Sequence, residues 1–387
     1  MNSFNFISPT RLCFGNDSVA MLSELLKGKY SKIMLHYGSE RIKKNGLYDE
    51  VIAQLNILNV DYIELSGVEP NPKYSLVKKG IDIAKRENVD FVLAIGGGSV
   101  IDSAKAIAAG AVYDGELWDA FMGKTSIEDA LPLGVILTYP ATGSESSMGT
   151  VVTNEDGDLK RSIDDDLLRP VFAIMNPELT LSLPYEHTMA GITDIISHIL
   201  ERYFTQTENV DLTDNLSEAA IRTVMRNARI LNEDLNDYNA RAEIMISGTI
   251  AHNGVLGLGR EDDWASHRIG HEITGLYGTT HGVTLAIIFP AWMKYVYKEN
   301  TKRFARFAVE VFNIDRNNKN DEELAKAGIA AFEDFLVEIG MPTRLSEADI
   351  PVDQFALMAE KCCGNGYVGS FRKLYREDVE KIYELAK

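Results

Sequence analysis

An apolar run ending in three consecutive glycines, DFVLAIGGGSVIDSAKAIAAG at residues 90–110, constrains this chain more than any other stretch. Residues 90–95 read as a buried strand, and residues 100–110 carry small and apolar side chains at helical spacing. Only a tight strand-to-helix turn joins the two. Glycines let the backbone approach a ligand closely and adopt conformations closed to other residues. The helix start beyond them offers free N–H groups and the positive end of the dipole, which together bind a pyrophosphate. The turn matches neither GxGxxG nor GxxxxGK[ST], so neither standard nucleotide fingerprint applies. On the residues alone, a plain turn with Ser99 as helix N-cap is the alternative.

The surrounding sequence repeats the pattern. Residues 32–37 (KIMLHY), 61–65, 133–138 and 171–175 read as further strands, and 41–55 and 74–87 as helices. Strand–helix alternation predicts a parallel sheet covered on both faces. A second turn rich in glycine and hydroxyls, TYPATGSE at 138–145, follows the next strand, with a helix N-cap as the alternative reading. Two such turns after successive parallel strands point to one nucleotide crevice at the strands' carboxyl ends. From residue 184 onward strand-like runs nearly vanish. Helical segments are expected at 187–204, 212–232, 240–253, 264–277, 302–311 and 321–339. A boundary is therefore expected near 181–185, with an α/β dinucleotide-binding domain over 1–182 and a helical metal-binding, catalytic domain over 183–387.

The helical half carries a second chemical signal. Asp194 and His198 stand four apart in AGITDIISHILERYF, and His267 and His271 repeat that spacing in DDWASHRIGHEITGLYG. Residues four apart on a helix share a face. His281 follows in TTHGVTLAIIFP, so three of the 7 His fall within 264–282. A carboxylate with several imidazoles suits zinc or ferrous iron. Taken singly, such pairs are also common on solvated helix faces.

Net charge is -18, from 57 acidic against 39 basic residues. That surface repels phosphate backbones and anionic lipid, which argues against nucleic acid or membrane as partners. Cys13, Cys362 and Cys363 make no disulfide framework, and reduced thiols imply a cytoplasmic protein. The N-terminal stretch MNSFNFISPTRLCFG lacks the charged and apolar regions of a signal peptide, and no apolar run approaches the ~20 residues of a membrane span.

Together these motifs resemble the iron-containing (group III) alcohol dehydrogenases, in their butanol dehydrogenase and aldehyde reductase branch. EPNP (69–72), GGGSVID (96–102), PATGSE (140–145), NPELT (176–180), GITDIISHILERY and DDWASHRIGHE…HG occur in family order across nearly the whole chain. The resemblance implies a dehydroquinate synthase-like fold: an α/β nucleotide domain, then an all-α domain, with the active site in a cleft. It makes Asp194, His198, His267 and His281 the ligands of one divalent metal, Fe2+ or Zn2+, and puts His271 beside the nicotinamide. Gly38, Ser39, Asn71, Gly97, Gly98, Ser99, Asp102, Thr138, Thr142, Lys160 and Leu179 would bind the cofactor. His36, His187 and His252 match no ligand position and are read as structural.

The implied activity is NAD(P)H-linked interconversion of short- to medium-chain aldehydes and primary alcohols by a homodimer. Arg202 and Arg268 are the only basic residues in the segments flanking the ligands, which fits an uncharged substrate. A polyol (glycerol-type) dehydrogenase and a dehydroquinate synthase-like lyase are the alternatives. Family members that favour NAD commonly carry Asp where Ser39 stands. Ser39, with Arg41, Lys43 and Lys44 nearby, predicts NADP(H) over NAD(H), although Glu40 opposes a 2′-phosphate.

Overall fold

The computed structural model describes residues 1–157, 159–364 and 366–387. They form two compact units, Ile7–Ser182 and a second made of Leu183–Lys387 with Met1–Phe6. Residues 1–6, expected within the α/β domain, thus pack with the helical unit, where the Asn2 N–H donates to Gly259 O at 2.8 Å.

The first unit is built on eight strands: β1 (Arg11–Phe14), β2 (Lys32–Tyr37), β3 (Asp61–Leu65), β4 (Phe91–Gly97), β5 (Leu133–Tyr139), β6 (Gly149–Asn154), β7 (Leu159–Asp164) and β8 (Phe172–Met175). Six of them form one sheet in the order β1-β8-β5-β4-β2-β3, every pair parallel. Its central strands are apolar almost throughout because both faces are covered. Helices α1 (Leu22–Leu26), α2 (Arg41–Lys44), α3 (Leu47–Leu58), α4 (Tyr74–Glu87), α5 (Gly98–Val112) and α6 (Trp118–Phe121) complete the unit. After β2 the chain moves outward to β3, then returns to the other side of β2 for β4. The order therefore reverses between β2 and β4, which is where open α/β sheets bind ligands.

The helix N-cap alternative at 138–145 does not hold, because residues 140–148 lead into an antiparallel hairpin, β6–β7, for which the sequence predicts no element. Thr153 in β6 donates its N–H to Pro72 O at 2.9 Å, joining the hairpin to the EPNP loop.

The second unit is helical: α7 (Tyr185–Tyr203), α8 (Asp211–Glu233), α9 (Tyr238–His252), α10 (Ala265–Tyr277), α11 (His281–Val296), α12 (Thr301–Phe312), α13 (Asp321–Glu338), α14 (Phe355–Cys363) and α15 (Arg376–Leu385). Its core holds an aromatic knot in which Phe204 stacks on Phe304 at 4.4 Å and meets Trp292 at 5.6 Å. Burying each such ring contributes roughly 1.5–3 kcal/mol. Helix α7 is buried along nearly its whole length, so its polar residues are held inside the protein.

Candidate metal and nucleotide sites

In the α/β unit the glycine turn is a matter of close approach. A Cβ at Gly98 would lie 2.4 Å from Thr142 Cγ2, and one at Gly97 2.8 Å from Tyr139 Cβ. The β4–α5 turn and the β5–β6 connection therefore touch backbone to side chain, with no room for a larger residue. No side chain caps the start of α5, whose first turn follows Gly97 directly. Uncapped N–H groups at a helix start suit an anion, the role expected of this turn.

Other residues expected at the cofactor are placed around the same end of the sheet. Lys160 donates from Nζ to Asn71 Oδ1 at 3.1 Å, so two of them are paired directly. Asn71 holds a left-handed backbone, φ 57°. Thr138 is the last residue but one of β5, and Leu179 packs half-buried against the sheet core. Gly38 O accepts from the Gly67 N–H at 2.8 Å just past the end of β2, and Ser39 is exposed beside it.

Asp102 is engaged as scaffold. Its carboxylate accepts from Ser144 Oγ at 2.6 Å and the Val151 N–H at 3.1 Å, and burial raises its pKa. Lys105, one turn on, is fully buried and donates to Ser147 O and Gly149 O, each at 2.8 Å. Burial pushes its pKa down to about 8. Together they fix the connection that carries Thr142.

In the helical unit, ligand atoms of Asp194, His267 and His281 all lie within 4.8 Å of one another. Asp194 Oδ1 is 3.8 Å from Nε2 of both His267 and His281. His198 lies beside this set, with Nδ1 3.6 Å from Asp194 Oδ1 and its ring 4.7 Å from that of His267. Three helices deliver these groups: α7 brings Asp194 and His198, α10 brings His267, and the first residue of α11 is His281. A Cβ on Gly282 would sit 2.0 Å from Ala190 O. Only glycine lets the start of α11 lie on the α7 backbone, and that contact brings His281 to Asp194.

The electrostatics favour a cation. Burial drives the pKa of His198 down to about 3, so its imidazole is neutral, the ligating form. Burial works the same way on His267, but hydrogen bonding and the charges of Asp194 and Glu201 outweigh it and raise that pKa. His198 Nδ1 and His267 Nε2 are buried without a hydrogen-bond partner, a costly state for polar atoms. Both facts fit a divalent ion among three imidazoles and a carboxylate.

His271 lies at the margin of the cluster, its ring 5.1 Å from that of His281. His36 is fully buried, bonded to Leu65 O at 2.9 Å and Ser103 Oγ at 2.8 Å. His187 is exposed. His252, read as structural, lies with its ring 4.3 Å from that of His198 and 5.4 Å from that of Trp264, which puts it against the cluster.

The sequence reading missed Glu201, a fully buried carboxylate 2.7 Å from His267 Nδ1. Its signal was there in the spacing: 194, 198 and 201 are i, i+4 and i+7, one stripe of α7.

A glycine-turn nucleotide unit joined in one chain to a helical unit with a His-and-Asp cluster defines a metal-dependent dehydrogenase class. Comparison with known proteins agrees. The family model "Iron-containing alcohol dehydrogenase" matches residues 9–177, and "Fe-containing alcohol dehydrogenase family, C-terminal" matches 188–387. The chain belongs to the iron-containing alcohol dehydrogenase family, and is an oxidoreductase with that family's dehydroquinate synthase-like fold.

It is 44% identical to the probable NADH-dependent butanol dehydrogenase 1 of Bacillus subtilis, over 99% of each chain. It is 34% identical to the NADPH-dependent aldehyde reductase YqhD of Escherichia coli, over 100% of each. The crystal structure of NADH-dependent butanol dehydrogenase A from Thermotoga maritima superposes with a TM-score of 0.96 at 41% identity, covering 100% of this chain and 99% of that one.

Proposed function

We propose that the chain reduces short- to medium-chain aldehydes such as butanal, and oxidises the matching primary alcohols, with a nicotinamide cofactor and one divalent metal. The observation that carries this reading is the cluster of Asp194, His267 and half-buried His281, with His198 beside Asp194, in a chain of this family. When bound, the ion supplies Lewis acidity toward the substrate oxygen. The four side chains hold it: one carboxylate charge and three neutral imidazoles leave the site net positive toward a carbonyl. N–H groups of the turn at 97–99 bind pyrophosphate, while Lys160 and Asn71 hold the cofactor beyond it. A ring nitrogen of His271 passes a proton to the product oxygen, a task that suits an imidazole.

Butanal reduction with reduced cofactor, alongside turnover of a sugar phosphate and glycerol oxidation with oxidised cofactor, tests the substrate reading. A clear preference for either of the latter over butanal overturns it, in favour of the lyase or the polyol dehydrogenase respectively. A hydrophobic pocket discriminates a methylene by only about 1–3 kcal/mol, so a broad chain-length range is expected. Whether iron or zinc serves in the cell depends on availability, because the same ligands take both.

Among the described residues, Lys43 alone of the cations behind the NADP(H) expectation is offset by carboxylates. Arg41 bonds to Ser182, with Nη2 2.6 Å from its Oγ. Lys43 pairs with Glu64 at 3.1 Å and Glu40 at 3.4 Å, leaving Lys44 outside these pairs. That offset of Lys43, with the NADH dependence named for the 44% identical Bacillus subtilis relative against NADPH for the 34% identical YqhD, supports NADH as the preferred cofactor. The ratio of kcat/KM for NADH and NADPH decides, and a tenfold advantage for NADPH reverses this reading.

A homodimer in the cytoplasm completes the proposal. The outer edge strand β1 exposes Leu12 and Phe14, at 39% and 44%, and no helix among the described residues is long and apolar enough to cross a membrane. Light scattering at a monomer mass would refute the dimer.

A further inference from the structure

Glu201 accepts three hydrogen bonds at the start of α10. Its Oε2 takes the Trp264 N–H at 2.7 Å, and its Oε1 takes the His267 N–H at 3.0 Å and lies 2.7 Å from His267 Nδ1. The carboxylate is fully buried and sits one turn from His198 on the same face of α7. An ordinary N-cap is supplied by the residue just before its helix. Here the cap comes from another helix, 63 positions away in sequence from Trp264. It holds Trp264 in a left-handed conformation, φ 63°, which costs a bulky residue about 1–3 kcal/mol.

A carboxylate beside a ring nitrogen accepts and does not donate, so the proton of neutral His267 belongs on Nδ1. The lone pair is then left on Nε2, the buried nitrogen that faces Asp194 at 3.8 Å. We propose that Glu201 is a positioning residue that fixes the tautomer and ring plane of His267 for metal binding. The inference rests on the metal reading above and adds a residue to it. Capping α10 and aiming its histidine are one contact, so the helix cannot shift without turning the imidazole. A metal-ligating histidine whose other nitrogen is held by a carboxylate gains both orientation and basicity.

The neighbouring Asp263 provides the control. Its Oδ2 also caps α10, through the Ala265 N–H at 3.2 Å, and its Oδ1 holds Ser370 and Phe371, but it makes no bond to His267. Zn2+ affinity is measured by competition with a chromophoric chelator for the full-length wild type, Glu201→Gln, Glu201→Ala, Asp263→Asn and His267→Ala. Melting temperatures of the metal-free proteins and the His267 tautomer, read from 15N–1H correlations of labelled imidazole, complete the set.

The expected result is affinity weakened by about 10-fold in Glu201→Gln and about 100-fold in Glu201→Ala. Asp263→Asn is expected to melt earlier yet bind Zn2+ within threefold of the wild type. The wild-type His267 resonance is expected to show the proton on Nδ1, and Glu201→Ala a mixture of tautomers. Unchanged affinity in both Glu201 variants overturns the proposal, as does an affinity loss in Asp263→Asn that scales equally with melting temperature. If wild type and His267→Ala bind Zn2+ equally, the metal reading fails instead. The tautomer then still decides the role of Glu201, and a wild-type proton on Nε2 refutes it.

Discussion

The two units recognise their ligands by opposite means. In the phosphate site proposed for the α/β unit the donors are backbone N–H groups, and the sequence contributes mostly by omission: Gly97 and Gly98 leave space that Tyr139 and Thr142 fill. In the helical unit the groups are long side chains on three helices, aimed by buried partners such as Glu201. A backbone site is damaged by adding an atom, and a side-chain site by removing one.

The largest effect is expected from His267→Ala, which removes one of the clustered ligands without adding bulk. Losing about 4 kcal/mol of transition-state stabilisation is roughly a 1,000-fold loss of activity. Elemental analysis should find the metal gone while cofactor binding persists. Full metal content in an active variant would sink the ligand assignment.

Next in size is a pH effect that separates buried imidazoles by unit. Burial holds His36, in the sheet core, down to about 4. Its Nδ1 must donate to Leu65 O, so Nε2 accepts from Ser103, and a second proton would break that bond. The unfolded chain takes up this proton near pH 6.5 and the folded chain only near 4, so stability falls as pH drops through that window. The loss is about 3 kcal/mol from this group. Denaturant titrations at about pH 7 and about pH 4.5 should show the loss in wild type and less of it in His36→Gln. Equal loss in both proteins would refute it.

Gly98→Ala should act through space alone, because the added methyl lies 2.4 Å from Thr142 Cγ2. Overpacking of about 2 kcal/mol translates to roughly a 30-fold rise in cofactor KM. Metal content should be untouched, and metal lost from this variant would collapse the contrast between the two sites.

The smallest effect belongs to Glu40. Exchanging its charge in Glu40→Lys should improve NADPH relative to NADH by about 1 kcal/mol, or some fivefold in kcat/KM. If the ratio does not move, Glu40 does not face the ribose.

The legible parts of the molecule were those written locally. Alternating strands and helices up to residue 175 reflect burial on both sheet faces, and the helices after 184 carry a 3.6-residue period, so both textures follow from periodicity alone. Asp194, His198, His267 and His281 were visible through their spacing and composition. The hairpin at 149–164 was not, because GTVVTN and LKRSID lack clean alternation and pair chiefly with each other and the EPNP loop. Nor was the placement of His252, which depends on where α9 ends relative to α7. For Glu201 the spacing marked the stripe of α7 but not the role: a glutamate in a helix ordinarily reads as solvated surface, and tertiary burial makes it a partner of His267.

Helix α7 carries Asp194, His198 and Glu201 on one rigid rod. Inserting a single residue between them would swing everything beyond it by about 100° and carry the later groups to another face. Substitutions along the other faces of α7 leave that register intact. Drift between residues 194 and 201 can therefore proceed by exchange of residues but not by change of length.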